Sequence, residues 1–380
     1  LALAFFAYNK KLPLSLRSVF YPILKDKIFG FWGDLIDILA VVACLFGLAT
    51  SLGLGVQQIN SGLNYLFGIE VNVIIQVVLI AGITAIACLS VVSGIDKGVK
   101  FLSELNIKIA FVFMLMVLIL GPTAFIFKTF ANSLGLYLNN FVQSAFFIST
   151  DGSTWQSDWS VFYLAWWISW SPFVGMFIAR VSKGRTIREF VLAVLIVPSL
   201  LSFVWLSVFG GTSIYLNQMV DGQLFATVQN NLPVALFEMI QYLDMPFLEG
   251  FLRTALSIIG TVLVISFFVT SSDSGSLVVD NLTSGGKLDS PVPQRVFWAC
   301  MEGFIAAVLL LIGGSEALAA LQTAVISTGL PFAIILILMS FILLDSVRKT
   351  YHEQTKIRAL DDFEEMIDTF DIVTEESDAS

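Results

Sequence analysis

Eight apolar stretches, each long enough to cross a bilayer, constrain this chain more than any other feature. A hydrocarbon core about 30 Å thick takes roughly 20 helical residues. Stretches of that kind lie near residues 34–56, 71–94, 105–130, 161–179, 190–211, 251–271, 296–314 and 319–344. Composition agrees. Of the 380 residues 57% are hydrophobic and 13% charged, and the mean hydropathy is +0.87. A soluble domain carries about 25% charged residues. No water-soluble fold of this size hides so much apolar surface. The fold class is therefore all-α and polytopic, because a helix satisfies its own backbone polar groups in lipid.

A ninth apolar scrap, Leu1 to Tyr8, opens the chain and reads as the end of a helix whose start is missing. The basic residues follow it, which argues against a signal peptide. Cys44, Cys88 and Cys300 fall inside predicted spans, where packing residues are expected rather than a disulfide set or metal site. Net charge is −9, and residues 351–380 carry most of it, with ten acids against Lys356 and Arg358. The chain thus divides into a membrane domain, 1–349, and an acidic tail, 350–380, expected to be disordered. Nothing here points to nucleic acid.

Alternating the loops between the two sides collects the positive charges on one of them. Lys10, Lys11, Arg17, Lys25 and Lys27 share a side with Lys97, Lys100, Lys108, Arg180, Lys183, Arg185, Arg188, Lys287 and Arg295. Arg348, Lys349, Lys356 and Arg358 join them, and only Lys128 and Arg253 fall opposite. Positive residues mark the cytoplasm, so the tail is expected there, with the protein in the cell membrane. Two outer connections, 131–160 and 212–250, read as amphipathic surface segments. The first contains a helix around Leu134–Phe147 and the acids Asp151 and Asp158. In the link 180–189, Thr186 and Glu189 have capping-box spacing, which starts the next helix there. Its basic residues also suit anionic lipid headgroups.

The segment Ala165–Phe177 holds Trp166, Trp167 and Trp170 inside a span, whereas tryptophan usually prefers the membrane interface. At helical spacing Trp166, Trp170, Phe173 and Phe177 share one face. Aromatic faces hold a quaternary ammonium by cation–π attraction worth about 2 kcal/mol or more when desolvated. An aromatic packing or lipid-facing stripe is the competing reading. Pro172 frees the carbonyl of Ile168, which must find another partner. A second polar cluster, Thr270-Ser271-Ser272-Asp273-Ser274, ends another span. Its hydroxyls suit a hard cation such as sodium, or they bond back one turn. The intramembrane acids are Asp37, Asp273 and Glu302, the last able to accept from a neighbouring helix or to pair with Arg295. The single histidine, His352, lies in the tail, so a histidine proton relay is excluded from the spans. Gly47, Gly53 and Gly55 make a thin helix face suited to close packing.

These motifs resemble the betaine/choline/carnitine transporter family. Trp166-Trp167-Ile168-Ser169-Trp170-Ser171-Pro172-Phe173-Val174-Gly175 is similar to its signature. So are Gly184-Arg185-Thr186-Ile187-Arg188-Glu189-Phe190, Thr270 through Val278, Gly53-Leu54-Gly55 and Thr328-Gly329-Leu330-Pro331-Phe332. The likeness runs from residue 1 to about 350. It implies an inverted five-helix-repeat (LeuT-like) transporter, with these spans as the fifth through twelfth and the first helices missing. A chain without those helices is expected not to transport alone. The resemblance further implies an onium solute, such as glycine betaine, choline or carnitine, held by Trp166, Trp167, Trp170 and Phe177. It implies sodium at Phe267 (through its carbonyl), Thr270 and Ser271, and a second sodium site at Phe173. Cys44 and Leu48 stand where sodium-coupled members offer threonine hydroxyls to that second site. Leu164 replaces a tryptophan found in some members. A homotrimer is implied, through the 131–148 segment. Proton coupling, or exchange of substrate for product, is the alternative; a membrane sensor or an intramembrane enzyme finds no supporting motif.

Overall fold

The computed structural model describes residues 1–380 apart from 94–99, 151, 153, 246–247, 288–289 and 379–380. For residues 93, 315, 361–362 and 364–378 it describes the backbone. Lys97 and Asp151 lie outside the described residues. Every regular element among the described residues is helical.

Among the described residues, short helical turns between Ala2 and Phe29 precede eleven helices. These are α1 Phe31–Phe67, α2 Val73–Ser93, α3 Lys100–Leu120, α4 Thr123–Ala145, α5 Phe162–Val181 and α6 Ile187–Met219. Next come α7 Gln223–Asn230, α8 Ala235–Tyr242, α9 Glu249–Thr283, α10 Val292–Gly313 and α11 Ala317–Asp378. Among the described residues eight helices are long and apolar enough to cross a membrane, all but α4, α7 and α8. Each matches one stretch read from the sequence. The most apolar window of α6 is only 6% buried within the protein, so its surface needs lipid or another hydrophobic partner.

The spans differ from expectation at their ends. The third stops at Leu120, not near 130, and α4 is a separate helix. Pro122 lacks an N–H and disfavours helical backbone at Gly121. Thr123 Oγ1 then donates to the Leu118 carbonyl at 2.6 Å. The amphipathic helix expected at Leu134–Phe147 is the later part of α4. The 212–250 connection contributes about two more turns to α6 before α7 and α8 form, and α8 buries Phe237, Met239 and Ile240. Thr186 and Glu189 close the expected capping box: Glu189 N–H donates to Thr186 Oγ1 at 3.2 Å and Thr186 N–H to Glu189 Oε2 at 3.0 Å. The helical backbone of α11 continues to Asp378, where composition predicted a disordered tail. The junction is supported by the i,i+4 pair Lys349–Asp345, 2.6 Å apart.

α1 is the hub. It packs against α5, α9, α10 and α11, and its glycines make those approaches possible. A Cβ on Gly47 would stand 3.0 Å from Ser169 Cβ, and one on Gly53 would stand 2.7 Å from Leu321. Gly55 receives the Phe268 ring. α1 ends at Gly68, left-handed at φ +69°, whose N–H bonds the Asn64 carbonyl at 2.8 Å. At the other end the opening turns bury Phe6, Leu16, Val19 and Ile28 against α1. Tyr8 Oη donates to the Ala179 carbonyl of α5 at 3.1 Å. Asp37 is held there too, accepting from Arg17 Nε at 2.5 Å and Arg17 N–H at 3.1 Å.

Candidate functional site

Trp166 and Trp170 lie one turn apart on α5, and both indole N–H groups point at α1. Trp166 Nε1 is 3.2 Å from the Gly47 carbonyl and 3.0 Å from Ser51 Oγ. Trp170 Nε1 is 3.1 Å from each. Gly47 permits this, because a Cβ there would also stand 3.0 Å from Trp170 Cδ1. The polar edges of both rings are thereby tied back, and their carbon surface lines a cleft of about 590 Å³. Trp167 lines the same cleft at 74% exposure, with Tyr163 and, from α6, Phe190. This volume falls within the usual range of small-molecule sites. Phe162 stacks on Trp166 at 5.3 Å, and Phe173 meets Trp170 edge-on at 5.6 Å.

The single aromatic face read from helical spacing divides in three. Trp166 and Trp170 join Trp167 at the cleft. Phe173 is 8% exposed and belongs to the core around α1. Phe177 is 48% exposed and stands outside the cleft lining. Helical phase sets direction, but the partner helix decides which side is covered. The carbonyl of Ile168, released by Pro172, is satisfied within the protein by Ser171 Oγ at 2.6 Å.

On α9, Thr270 Oγ1 lies 3.0 Å from the Phe267 carbonyl and 3.1 Å from that of Ser266. The hydroxyl thus bonds back one turn. Asn106 Nδ2, on α3, donates to the same Thr270 oxygen at 3.1 Å. The Asn106 side chain is 1% exposed, and its Oδ1 is buried without a partner. Phe267 O and Thr270 Oγ1 lie together on α9, with the half-buried Ser271 next in the chain. That donor chemistry fits sodium. Asn106 escaped the sequence reading, and the available signal was an amide in an apolar span. The second sodium site does not fit. Cys44 and Leu48 are buried at 0% and 1% and share an apolar core with Phe173. Leu48 fills the space opposite Gly275.

The intramembrane acids separate by environment. Asp37 is ion-paired, as above. Asp273 is fully buried and accepts from Ser90 Oγ at 2.7 Å and Ser274 Oγ at 3.0 Å. Glu302 does not pair with Arg295, which donates to Ser290 Oγ at 3.1 Å and sits 4.0 Å from Asp280. Seven residues of helix separate Arg295 from Glu302 by about 10 Å, and Asp280 is the nearer acid. The cysteines are free thiols, with Cys88 and Cys300 sulfurs 3.9 Å apart.

A polytopic helical membrane protein with an aromatic-walled cleft and a hydroxyl-and-carbonyl cluster on another span is the class that fold and site define. The chain belongs to the betaine/carnitine/choline family of transporters, whose family model matches residues 1–352. It is 52% identical over 357 residues to a glycine betaine/proline/choline/ectoine transporter of Vibrio parahaemolyticus, covering 92% of this chain and 60% of that protein. It is 53% identical over 346 residues to glycine betaine transporter 1 of the same organism, covering 90% and 64%. With a glycine betaine transporter of Acinetobacter baylyi it shares 44% identity over 363 residues, covering 95% and 53%. The chain therefore spans between half and two thirds of the length of these relatives. All three are named as transporters, not enzymes.

Proposed function

We propose that this chain forms the larger part of a secondary active transporter that imports a quaternary-ammonium or related onium solute by alternating access. Glycine betaine, choline and carnitine are the candidate substrates. The observation that carries this reading is the shared anchoring of Trp166 and Trp170 to Gly47 and Ser51. Both N–H groups are consumed, so the cleft receives ring carbon from Trp166, Trp167 and Trp170. Such a wall suits a cation with no N–H to donate and a diffuse charge. The glycine betaine relatives support the same substrate class.

Sodium is the proposed coupling ion, at Phe267, Thr270 and Ser271, with Asn106 holding Thr270. The multi-pass protein is placed in the cell membrane with its C-terminus cytoplasmic, by the positive-charge bias of the loops. A homotrimer in contact with membrane lipids is the proposed assembly. The test is uptake of radiolabelled glycine betaine and choline by the full-length protein in liposomes. Sodium-dependent uptake of an onium solute supports the reading. Uptake driven by a pH gradient without sodium overturns the sodium assignment. Failure of every onium solute to bind or move overturns the substrate class.

A further inference from the structure

Two of the three cysteines meet across the contact of α2 and α10. Cys88 Sγ and Cys300 Sγ lie 3.9 Å apart, and both are free thiols. The approach is set one turn away, where Thr84 packs on Gly303 and a Cβ on that glycine would collide with the Thr84 hydroxyl. Thr84 precedes Cys88 by four residues and Gly303 follows Cys300 by three, so the two helices run antiparallel and the thiols occupy the next rung. Cys300 is exposed and Cys88 half-buried. They stand about 12 Å and 8 Å from the nearer ends of their helices, Val292 and Ser93. A small uncharged reagent dissolved in the bilayer can therefore reach them. Cys44 differs: it is 0% exposed, in the core around α1. Neither Cys88 nor Cys300 lines the aromatic cleft.

Thiolate sulfur is a soft ligand and selects soft metal ions. Spacing, ligand number and charge narrow the choice. Two metal–thiolate bonds of about 2.3 Å in line span about 4.6 Å, so the sulfurs would part by about 0.7 Å. A disulfide, with sulfurs about 2.05 Å apart, would draw them together by about 1.9 Å. A tetrahedral ion such as Zn(II) takes four ligands, and among the described residues no group of three or more His, Cys, Asp or Glu side chains could hold a metal ion. A monovalent ion such as Cu(I) on two thiolates leaves a net negative charge inside a membrane span, which is costly. A divalent ion leaves none. We propose that Cys88 and Cys300 are a binding site for a soft divalent ion satisfied by two sulfurs in line, which is the chemistry of mercury(II). The bound ion joins α2 to α10. This site rests on neither the aromatic cleft nor the hydroxyls of α9.

The test uses the full-length protein in liposomes, with mercuric chloride as the probe. Each thiol gives its proton to a chloride and a sulfur electron pair to the metal. Two S–Hg bonds form, two Hg–Cl bonds break and two molecules of HCl leave, with no oxidant or reductant taking part. Peptide mapping by mass spectrometry should find one mercury joining the Cys88 and Cys300 peptides. Two ligands on one ion act at high effective concentration, which raises retention about a hundredfold or more. Cys88→Ser and Cys300→Ser should therefore each give up mercury to about a hundredfold less competing 2-mercaptoethanol than the unsubstituted protein does. Cys44→Ser should leave the bridge unchanged. Mercury on each of the two cysteines separately, a disulfide already joining them, or no reaction at either thiol would overturn the proposal. So would a single-serine variant that holds mercury as tightly as the unsubstituted protein. The bridge is read on the unsubstituted protein, so a variant that fails to fold does not remove the test.

Discussion

The indole nitrogens of Trp166 and Trp170 converge on one carbonyl, that of Gly47, at 3.2 and 3.1 Å. The acceptor lies on α1 and the donors on α5, so two helices distant in sequence set the ring orientation. A larger residue at 47 meets Trp170 Cδ1 and Ser169 Cβ, both 3.0 Å from the first added carbon. Gly47→Val should push Trp170 off its acceptor and cost about 1–3 kcal/mol as overpacking does. Uptake kinetics and thermal unfolding of the full-length protein check this. A raised KM with an altered tryptophan emission spectrum is the expected result.

Trp167 has a different environment, exposed at 74% on the cleft and lacking the α1 anchor. Its removal should leave the fold intact and weaken solute binding. Loss of about 2 kcal/mol of cation–π attraction corresponds to roughly a thirtyfold loss of affinity. Trp167→Leu should show that loss for glycine betaine in a binding titration, and Trp167→Phe a smaller one. Unchanged affinity in Trp167→Leu would remove this residue from the proposed cage.

Asn106 links α3 to the hydroxyl of Thr270. Without the amide, Thr270 keeps its bonds to Ser266 and Phe267 but loses the donor that fixes its lone pairs. Asn106→Ala should raise the sodium concentration for half-maximal uptake about tenfold, the effect of one hydrogen bond to an ion-binding group. The KM for solute at saturating sodium should change much less. Equal changes in both would point to a purely structural role for Asn106.

Arg17 bridges two acids of unequal burial. Asp37 is 5% exposed at its side chain and Asp34 58%. Removing Arg17 leaves Asp37 charged, buried and unpaired, which costs about 3–5 kcal/mol. Removing Asp34 breaks an exposed pair worth about 1 kcal/mol or less. Arg17→Ala should therefore lower the melting temperature far more than Asp34→Ala, and Asp37→Asn should partly rescue Arg17→Ala. Equal losses in the two single variants would contradict this ranking.

Much of this architecture was legible in one dimension because lipid imposes a simple demand. Apolar runs near 20 residues marked all eight spans, and Thr186 with Glu189 marked the start of α6, since a capping box is a local contact. Gly47, Gly53 and Gly55 announced a thin face on α1. Span ends were less legible. Hydropathy carried the third span past Leu120, where Gly121 and Pro122 end the helix despite apolar neighbours.

The aromatic helix shows where sequence reading stopped. Three tryptophans in five residues, together with longer motifs, were enough to point to the betaine/carnitine/choline transporter family. Helical periodicity alone grouped Phe173 and Phe177 with Trp166 and Trp170. Only the packed structure buried Phe173, left Phe177 outside the cleft and tied two indoles to Gly47. It also brought Asn106 to Thr270. The physical reason is common to all of these. Membrane insertion follows from the composition of each segment by itself, whereas hydrogen-bond partners come from helices more than a hundred residues apart, and their identity depends on how closely those helices approach.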